Sequence, residues 1–121
     1  MSKVSWISVV GSLNIDLTFR VPSFPAPGET LIAAEAVTSL GGKGGNQAIA
    51  AKRAGAEVRM IGCLGNDDQA RQYRVRLGEE GIDCSGVMRT EVRTGVASIA
   101  LNEEGENTII VDPGANLQLT P

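Results

Sequence analysis

Residues 41–45 read Gly-Gly-Lys-Gly-Gly, and this segment restricts the fold of the 121-residue chain more than any other. Four glycines in five positions predict an irregular backbone that approaches another part of the chain closely. An alanine-rich stretch follows at residues 46–54 and stops at Gly55, as expected of a helix that ends at a glycine. The sequence therefore predicts a glycine loop that opens a helix.

A loop of this kind suits an anionic or hydroxyl-rich ligand. The free backbone N–H groups and the positive dipole end of a helix N-terminus attract a phosphate, a carboxylate or several hydroxyl oxygens. The spacing excludes two nucleotide-binding motifs: Gly44 follows Lys43 where a Walker A loop has Ser or Thr, and Gln47 stands where the dinucleotide motif has its last glycine. A tight strand–helix turn with a solvated lysine explains the same spacing equally well.

Two polar residues follow the first predicted strand. Residues 6–10 form a short apolar run that predicts a strand buried on both faces. Asn14 and Asp16 come just after it, and open α/β sheets bind ligands beyond the carboxyl ends of their strands. Amide donors beside carboxylate acceptors recognise the vicinal hydroxyls of a sugar. Each residue alone is more often a turn residue, but with Lys43 and Asn46 they predict a polyol pocket.

Strand and helix patterns alternate along the middle of the chain. Residues 58–64 predict a second core strand, and the turn at residues 65–68 predicts the capped start of a second helix. Helical spacing places three residues of that helix on one apolar face: Ala70, Tyr73 and Leu77. Residues 87–88 predict a further core strand. Strand, helix, strand, helix is the order typical of an α/β fold.

Two strand pairs interrupt this alternation and predict hairpins off the main sheet. The first occupies about residues 14–40 and the second residues 94–111. In the first, strand-like residues lie at 17–21, 31–32 and 37–38. In the second, both faces carry apolar side chains, so each face is expected to cover something.

Composition excludes several classes of protein. Eleven Lys and Arg residues against fourteen Asp and Glu give a net charge of −3, which argues against nucleic acid and anionic membrane as partners. The chain has no histidine, which excludes a Ser-His-Asp triad and every histidine-containing metal site, and no metal site is predicted. Cys63 and Cys84 form no metal-binding or redox motif, and no apolar run spans a bilayer, so we expect a cytoplasmic protein.

Several segments together resemble the ribokinase-like (PfkB) carbohydrate kinase family. They are residues 9–16, 25–30, 41–48, 105–107 and 114–116. The resemblance extends over nearly the whole chain and is confined to the amino-terminal portion of the family. It implies a Rossmann-like three-layer α/β sandwich with a β-hairpin lid, formed by the two predicted hairpins, in which residues 1–121 are the N-terminal part of a single domain.

The resemblance also implies an activity, cofactors and a site. The implied reaction is ATP-dependent phosphorylation of D-ribose at its 5-hydroxyl, assisted by Mg²⁺ and a monovalent cation such as K⁺, in a homodimer paired through the lid strands. The implied substrate-binding residues are Asn14, Ile15, Asp16, Gly42, Lys43, Gly44, Gly45 and Asn46. Other sugars remain open, with a fructokinase or a 1-phosphofructokinase-like enzyme as alternatives.

The chain departs from the family pattern in its catalytic residue. The family's catalytic aspartate lies in a Gly-Ala-Gly-Asp loop, whereas residues 114–116 read Gly-Ala-Asn and are a different segment. Thr120 and Pro121 have the pattern of a helix start, so we expect the fold to be incomplete at its C-terminus. We expect no ATP site and no catalytic base in this chain, and a truncated sugar-binding or dimerising remnant is the non-enzymatic alternative.

Overall fold

Two β-sheets organise residues 5–121, the part of the chain that the computed structural model describes. Nine strands and helices occur in the order β1 Trp6–Val10, β2 Asn14–Arg20, β3 Glu35–Gly41, α1 Lys43–Arg53, β4 Glu57–Leu64, α2 Asp68–Glu79, β5 Asp83–Arg89, β6 Gly95–Leu101 and β7 Asn107–Asp112. A short 3₁₀ helix at Gly114–Gln118 follows β7.

The first sheet is parallel and has the strand order β1-β4-β5. Its apolar face packs against α1 and α2 and forms the core. The core residues include Val9, Val58, Met60, Leu64 and Val87 from the strands and Ala48, Ala70, Tyr73 and Leu77 from the helices. The apolar face predicted for α2 and the core strand predicted around residues 87–88 are therefore confirmed.

Burial of β1 on both faces is not observed. Trp6 is 56% exposed and Val10 is 62% exposed. The reason is that the two helices cover only one face of this sheet. On the other face, the Arg59 guanidinium lies over the Trp6 ring at 5.3 Å from the ring centroid.

The second sheet has four strands in the order β3-β2-β6-β7 and contains both predicted strand pairs. β2 pairs antiparallel with β3, and β6 pairs antiparallel with β7. A parallel pairing of β2 with β6 joins the two pairs into one sheet, which the sequence did not predict. No strand forms at residues 31–32, where Ile32 is 91% exposed, because the preceding segment contains three prolines that cannot donate to a ladder.

Helix α1 begins earlier than predicted, at Lys43 instead of Asn46, so two of the loop glycines are helical. Helix α2 begins as predicted: Asp67 is its N-cap and its Oδ1 accepts a hydrogen bond from the Ala70 N–H at 2.9 Å. Within residues 5–121 no helix is long and apolar enough to cross a membrane. Thr120 and Pro121 show no regular structure, so a helix start there stays a prediction.

Asp67 also ties α2 to the start of β6. Its Oδ2 accepts from the Thr94 N–H at 2.8 Å and its Oδ1 accepts from the Thr94 hydroxyl at 2.6 Å. Partial burial alone would raise the pKa of Asp67, but these bonds and the one from Ala70 outweigh it and lower the pKa below 3.8. The stabilisation is therefore present above the unfolded-state pKa and is lost as the pH falls through the folded-state pKa.

Replacement of Asp67 by alanine should lower the free energy of unfolding by about 2 kcal/mol at neutral pH, because it removes a helix cap and leaves the Thr94 N–H unsatisfied. Urea unfolding measures this loss. Asp68→Ala is the matched control, since Asp68 lies next to the cap and only pairs with Arg71 on the exposed side of α2. Equal losses for both variants, or a loss at Asp67 that does not shrink below pH 4, would contradict this account.

Candidate functional site

Asn14 and Asp16 lie on one face of β2, in the first half of the strand, where the two sheets meet. On the neighbouring strands Asn14 stands opposite Gly41 and Gly95, and Asp16 stands opposite Ser39 and Ala97. Ile15 alternates to the other face of β2, where its side chain is only 3% exposed and belongs to the core. A ligand on the Asn14 and Asp16 face therefore meets only the backbone of Ile15.

The Asp16 carboxylate is available to a ligand. It is partly buried, and no residue of the described chain donates a hydrogen bond to it or forms an ion pair with it. Burial raises its pKa above the ordinary value of 3.8. The absence of a side chain at Gly41 makes room for this carboxylate, since a Cβ there would fall 2.5 Å from the Asp16 Cγ.

Ser12 holds the N-terminal turn of α1. Its Oγ accepts a hydrogen bond from the Lys43 N–H, and its carbonyl oxygen accepts from the Gly45 N–H, both at 3.1 Å. Gly42 precedes the helix with φ 91°, a conformation that favours glycine. The expected set of free N–H groups is therefore only partly observed, because Ser12 occupies two of them. Sequence reasoning missed this role of Ser12.

The two helical glycines serve close packing. A Cβ on Gly44 would fall 2.6 Å from the carbonyl carbon of Gly11, and a Cβ on Gly45 would fall 2.9 Å from the Tyr73 Cζ. Both glycines are buried. They bring α1 against the loop after β1 and against α2, and thereby place Gly42 beside the start of β2.

Tyr73 in α2 holds the last residue of β3, Gly41, by a hydrogen bond. Its side chain is fully buried, as predicted, and its hydroxyl donates to the Gly41 carbonyl at 2.6 Å. Burial, with a smaller contribution from the charge of Asp16, raises the pKa of Tyr73 to about 12, so the hydroxyl stays protonated at neutral pH. The sequence contained one signal for this hydrogen bond, because a tyrosine within an apolar helix face needs a partner for its hydroxyl.

Lys43 and Asn46 are exposed on the first turn of α1. The Asn46 N–H donates to the Gly42 carbonyl at 3.0 Å, and its side chain borders a cavity of about 430 Å³ with Ile49, Arg53 and Arg76. The structure thus brings Asn14, Asp16 and Gly42 together. Convergence of the Lys43 and Asn46 side chains on the same ligand stays a prediction.

A larger cavity, of about 560 Å³, lies under the opposite face of β2 and is lined by Ile15, Leu17 and Thr94 among others. Its buried polar groups satisfy each other, because the Thr94 hydroxyl donates to Asp67. The cavity lacks the free carboxylate found on the Asn14 face. The unpartnered carboxylate expected of a sugar site therefore occurs on the Asn14 and Asp16 face and not in this cavity.

Comparison with known families decides the ancestry of this arrangement. Residues 5–121 match the model of the pfkB family of carbohydrate kinases. The chain belongs to this family. The resemblance inferred from the glycine segment and from residues 9–16 is confirmed.

Individual relatives agree with the pfkB assignment. Ribokinase of Haemophilus influenzae is 39% identical over 115 residues, an alignment that covers 94% of this chain and 38% of that protein. The ribokinase structure of Giardia lamblia matches with a TM-score of 0.88 at 33% identity, covering 98% of this chain and 39% of that one. The structure of Arabidopsis thaliana ribokinase complexed with ribose and ATP matches with a TM-score of 0.82 at 32% identity, covering 95% and 38%.

These matches confirm a partial ribokinase-like α/β fold. The chain spans less than two fifths of the length of these relatives. Both sheets and both helices described above fall within the matched part, including the face that carries Asn14 and Asp16.

Removal of the Tyr73 hydroxyl in Tyr73→Phe should lower the free energy of unfolding by about 1 kcal/mol, because the Gly41 carbonyl loses its buried partner. Thermal or urea unfolding checks this. Phe19→Tyr is a useful control, since it adds a hydroxyl to a side chain near the surface and should change stability little. A Tyr73→Phe variant as stable as the original chain would show that the hydroxyl does not hold the glycine segment.

Replacement of the Asp16 carboxylate by an amide should stabilise the ligand-free chain at neutral pH. The raised pKa of Asp16 means that the folded state disfavours its charge, so its contribution is favourable below pH 3.8 and is lost as the pH rises through the folded-state pKa. Asp16→Asn should therefore raise the unfolding midpoint at pH 7 and have little effect near pH 3.

Asp83→Asn is the control of opposite sign for this measurement. Hydrogen bonds from Ser85 and Arg59 lower the pKa of Asp83, so its amide variant should lose stability at pH 7. A lower midpoint for Asp16→Asn at pH 7 would refute the conclusion that Asp16 is an unpartnered, desolvated carboxylate.

Proposed function

We propose that this chain is the sugar-binding portion of a ribokinase-type kinase, whose reaction is ATP-dependent phosphorylation of D-ribose to D-ribose 5-phosphate. The observation that carries the proposal is the Asp16 carboxylate, which is partly buried and without a partner in residues 5–121, on the same strand face as Asn14. The ribokinase relatives support ribose as the substrate, and one of them is a structure complexed with ribose and ATP.

The geometry suits a polyol better than an anion. A carboxylate repels phosphate but accepts hydrogen bonds from hydroxyl groups, and charge-assisted bonds of this type are about twice as strong as neutral ones. Asn14 supplies an amide beside it, and Gly42 packs against the backbone of Ser12 and Asn14 at the start of α1. Lys43 and Asn46 extend the proposed sugar site along the first turn of that helix.

The Gly-Ala-Asn segment is not arranged to bind the phosphates of a nucleotide. The N–H groups of the Gly-Ala-Asn segment are used within the fold: Gly114 donates to Asp112 Oδ1 at 3.1 Å and Ala115 donates to the Arg93 carbonyl at 2.7 Å. Among residues 5–121 no group of three or more Cys, Asp or Glu side chains is arranged to hold a metal ion. We therefore assign no step of phosphoryl transfer to these residues. ATP, Mg²⁺ and a monovalent cation remain implications of the family.

We propose further that the four-stranded sheet is the lid of the sugar site and the surface of a homodimer. Its strand β7 exposes apolar side chains on both faces, with Ile110 on one face and Ile109 and Val111 on the other. A lid over the sugar would exclude water, which protects a phosphoryl group from hydrolysis.

Calorimetric titration of the 121-residue chain with D-ribose tests the sugar site. We expect saturable binding, and Asp16→Ala should weaken it about ten- to a hundredfold, the equivalent of about 1.5–3 kcal/mol for hydrogen bonds to a charged group. Asp68→Ala is the matched control and should bind as the original chain does, because Asp68 is an exposed residue of α2.

Titrations with D-fructose and fructose 6-phosphate separate the alternatives. Stronger binding of either sugar than of ribose would replace the ribose proposal by another member of the family. A folded chain that binds none of the three would leave the dimerising remnant as the better description.

A further inference from the structure

The side-chain amide of Asn116 is held in one orientation by the backbone of Leu13. Its Oδ1 accepts a hydrogen bond from the Leu13 N–H at 2.9 Å. A backbone N–H is a donor only, so the atom facing it must be the amide oxygen. This contact joins residues that are 103 positions apart in the sequence.

The amide nitrogen of Asn116 therefore faces three oxygen atoms. Nδ2 donates to Asn14 Oδ1 at 2.7 Å, to the Pro113 carbonyl at 2.9 Å and to the Leu13 carbonyl at 3.2 Å. A flipped amide would oppose oxygen to oxygen at the Pro113 and Leu13 carbonyls and nitrogen to hydrogen at the Leu13 N–H. All three backbone neighbours thus require the same orientation, and Asn14 then presents its oxygen to Asn116.

We infer that Asn116 is a positioning residue for the sugar site, because it fixes the amide of Asn14. Asn14 Oδ1 faces Asn116, and among residues 5–121 no group accepts a hydrogen bond from the Asn14 nitrogen, so the nitrogen is the group that Asn14 offers to a ligand. Asn14 then acts as a hydrogen-bond donor beside the acceptor carboxylate of Asp16. The inference rests on the proposed function in one respect, namely that Asn14 contacts the sugar.

Gly95 provides the space in which the two amides meet. A Cβ on Gly95 would collide with Asn116 Nδ2 and with Asn14 Oδ1, and it would fall 2.8 Å from the Pro113 carbonyl. The bond from the Ala115 N–H to the Arg93 carbonyl holds the Asn116 turn against the start of β6. Asn116 consequently links the start of β6 to the start of β2, the strand that carries Asn14 and Asp16.

This arrangement specifies what a ligand must present. The ligand group at Asn14 has to accept a hydrogen bond, and the group at Asp16 has to donate one. A pair of hydroxyls satisfies both requirements. At the Asn14 position a fluorine atom, which accepts weakly and cannot donate, would be tolerated better than hydrogen, whereas at the Asp16 position it would not.

The amide orientation can be tested without any ligand, by NMR of the side-chain amides in the ¹⁵N-labelled chain. We expect slow hydrogen exchange for the NH₂ group of Asn116 and fast exchange for that of Asn14. Fast exchange at Asn116, or protection of the Asn14 NH₂, would overturn the inference. This measurement needs no variant, so it does not depend on whether a variant folds.

Asn116→Asp supplies the second measurement. The carboxylate can still accept from the Leu13 N–H, but it now presents an acceptor to Asn14, whose amide must turn and donate its nitrogen. The Asn14 NH₂ should become protected in this variant. Asn107→Asp, which makes the same change at an exposed position of β7, should leave the Asn14 resonances unchanged. No change at Asn14 in a folded Asn116→Asp variant would contradict the positioning role.

Binding measurements with D-ribose and its monodeoxy and monodeoxyfluoro derivatives test whether the orientation of the Asn14 amide affects sugar recognition. In the original chain, replacement of one ribose hydroxyl by fluorine should weaken binding less than its replacement by hydrogen. Asn116→Asp should abolish that difference and weaken ribose binding at least tenfold. If ribose binds but no derivative shows the preference, the positioning inference fails and the sugar site stands. If ribose does not bind at all, the proposed function fails, and the NMR result alone decides the orientation of Asn14.

Discussion

The close approach of helix α1 to the loop after β1 is the constraint on which the rest of the structure depends. Only three residues connect β1 to β2, and only Gly42 separates β3 from α1. These two connections lie side by side, and Ser12 joins them by accepting hydrogen bonds from the Lys43 and Gly45 N–H groups. The candidate site forms at this junction because no side chain at Gly44 keeps the two backbones apart.

Burial of Asp16 at this junction lowers the stability of the folded chain at neutral pH. A carboxylate that loses water without gaining a hydrogen bond is disfavoured in its charged form, and the raised pKa of Asp16 expresses this. Asp67 provides the contrast within the same chain, since its carboxylate accepts three hydrogen bonds and its pKa is lowered. An acidic group kept without partners is what a binding site requires, because the ligand can then supply the missing donors.

Local sequence patterns predicted the elements that depend on local chemistry. The spacing of Ala70, Tyr73 and Leu77 identified the buried face of α2, and Asp67 identified its start, because both signals lie within one or two helical turns. The start of α1 was placed too late, since glycine propensity argued against a helix that packing on Gly11 imposes. Burial of both faces of β1 was wrong because an apolar run does not reveal whether other elements cover both faces of its sheet.

The polar geometry of the site depends on contacts that local patterns do not reveal. The Tyr73 hydroxyl reaches Gly41 from 32 positions away, and the Asn116 amide reaches Asn14 from 102 positions away. The glycine segment and the Asn14–Asp16 pair were identified from sequence because each is compact, whereas the residues that orient them come from α2 and from the turn after β7. The donor and acceptor pattern offered to a ligand therefore exists only once both sheets are complete and the chain has returned from β7 to the loop after β1.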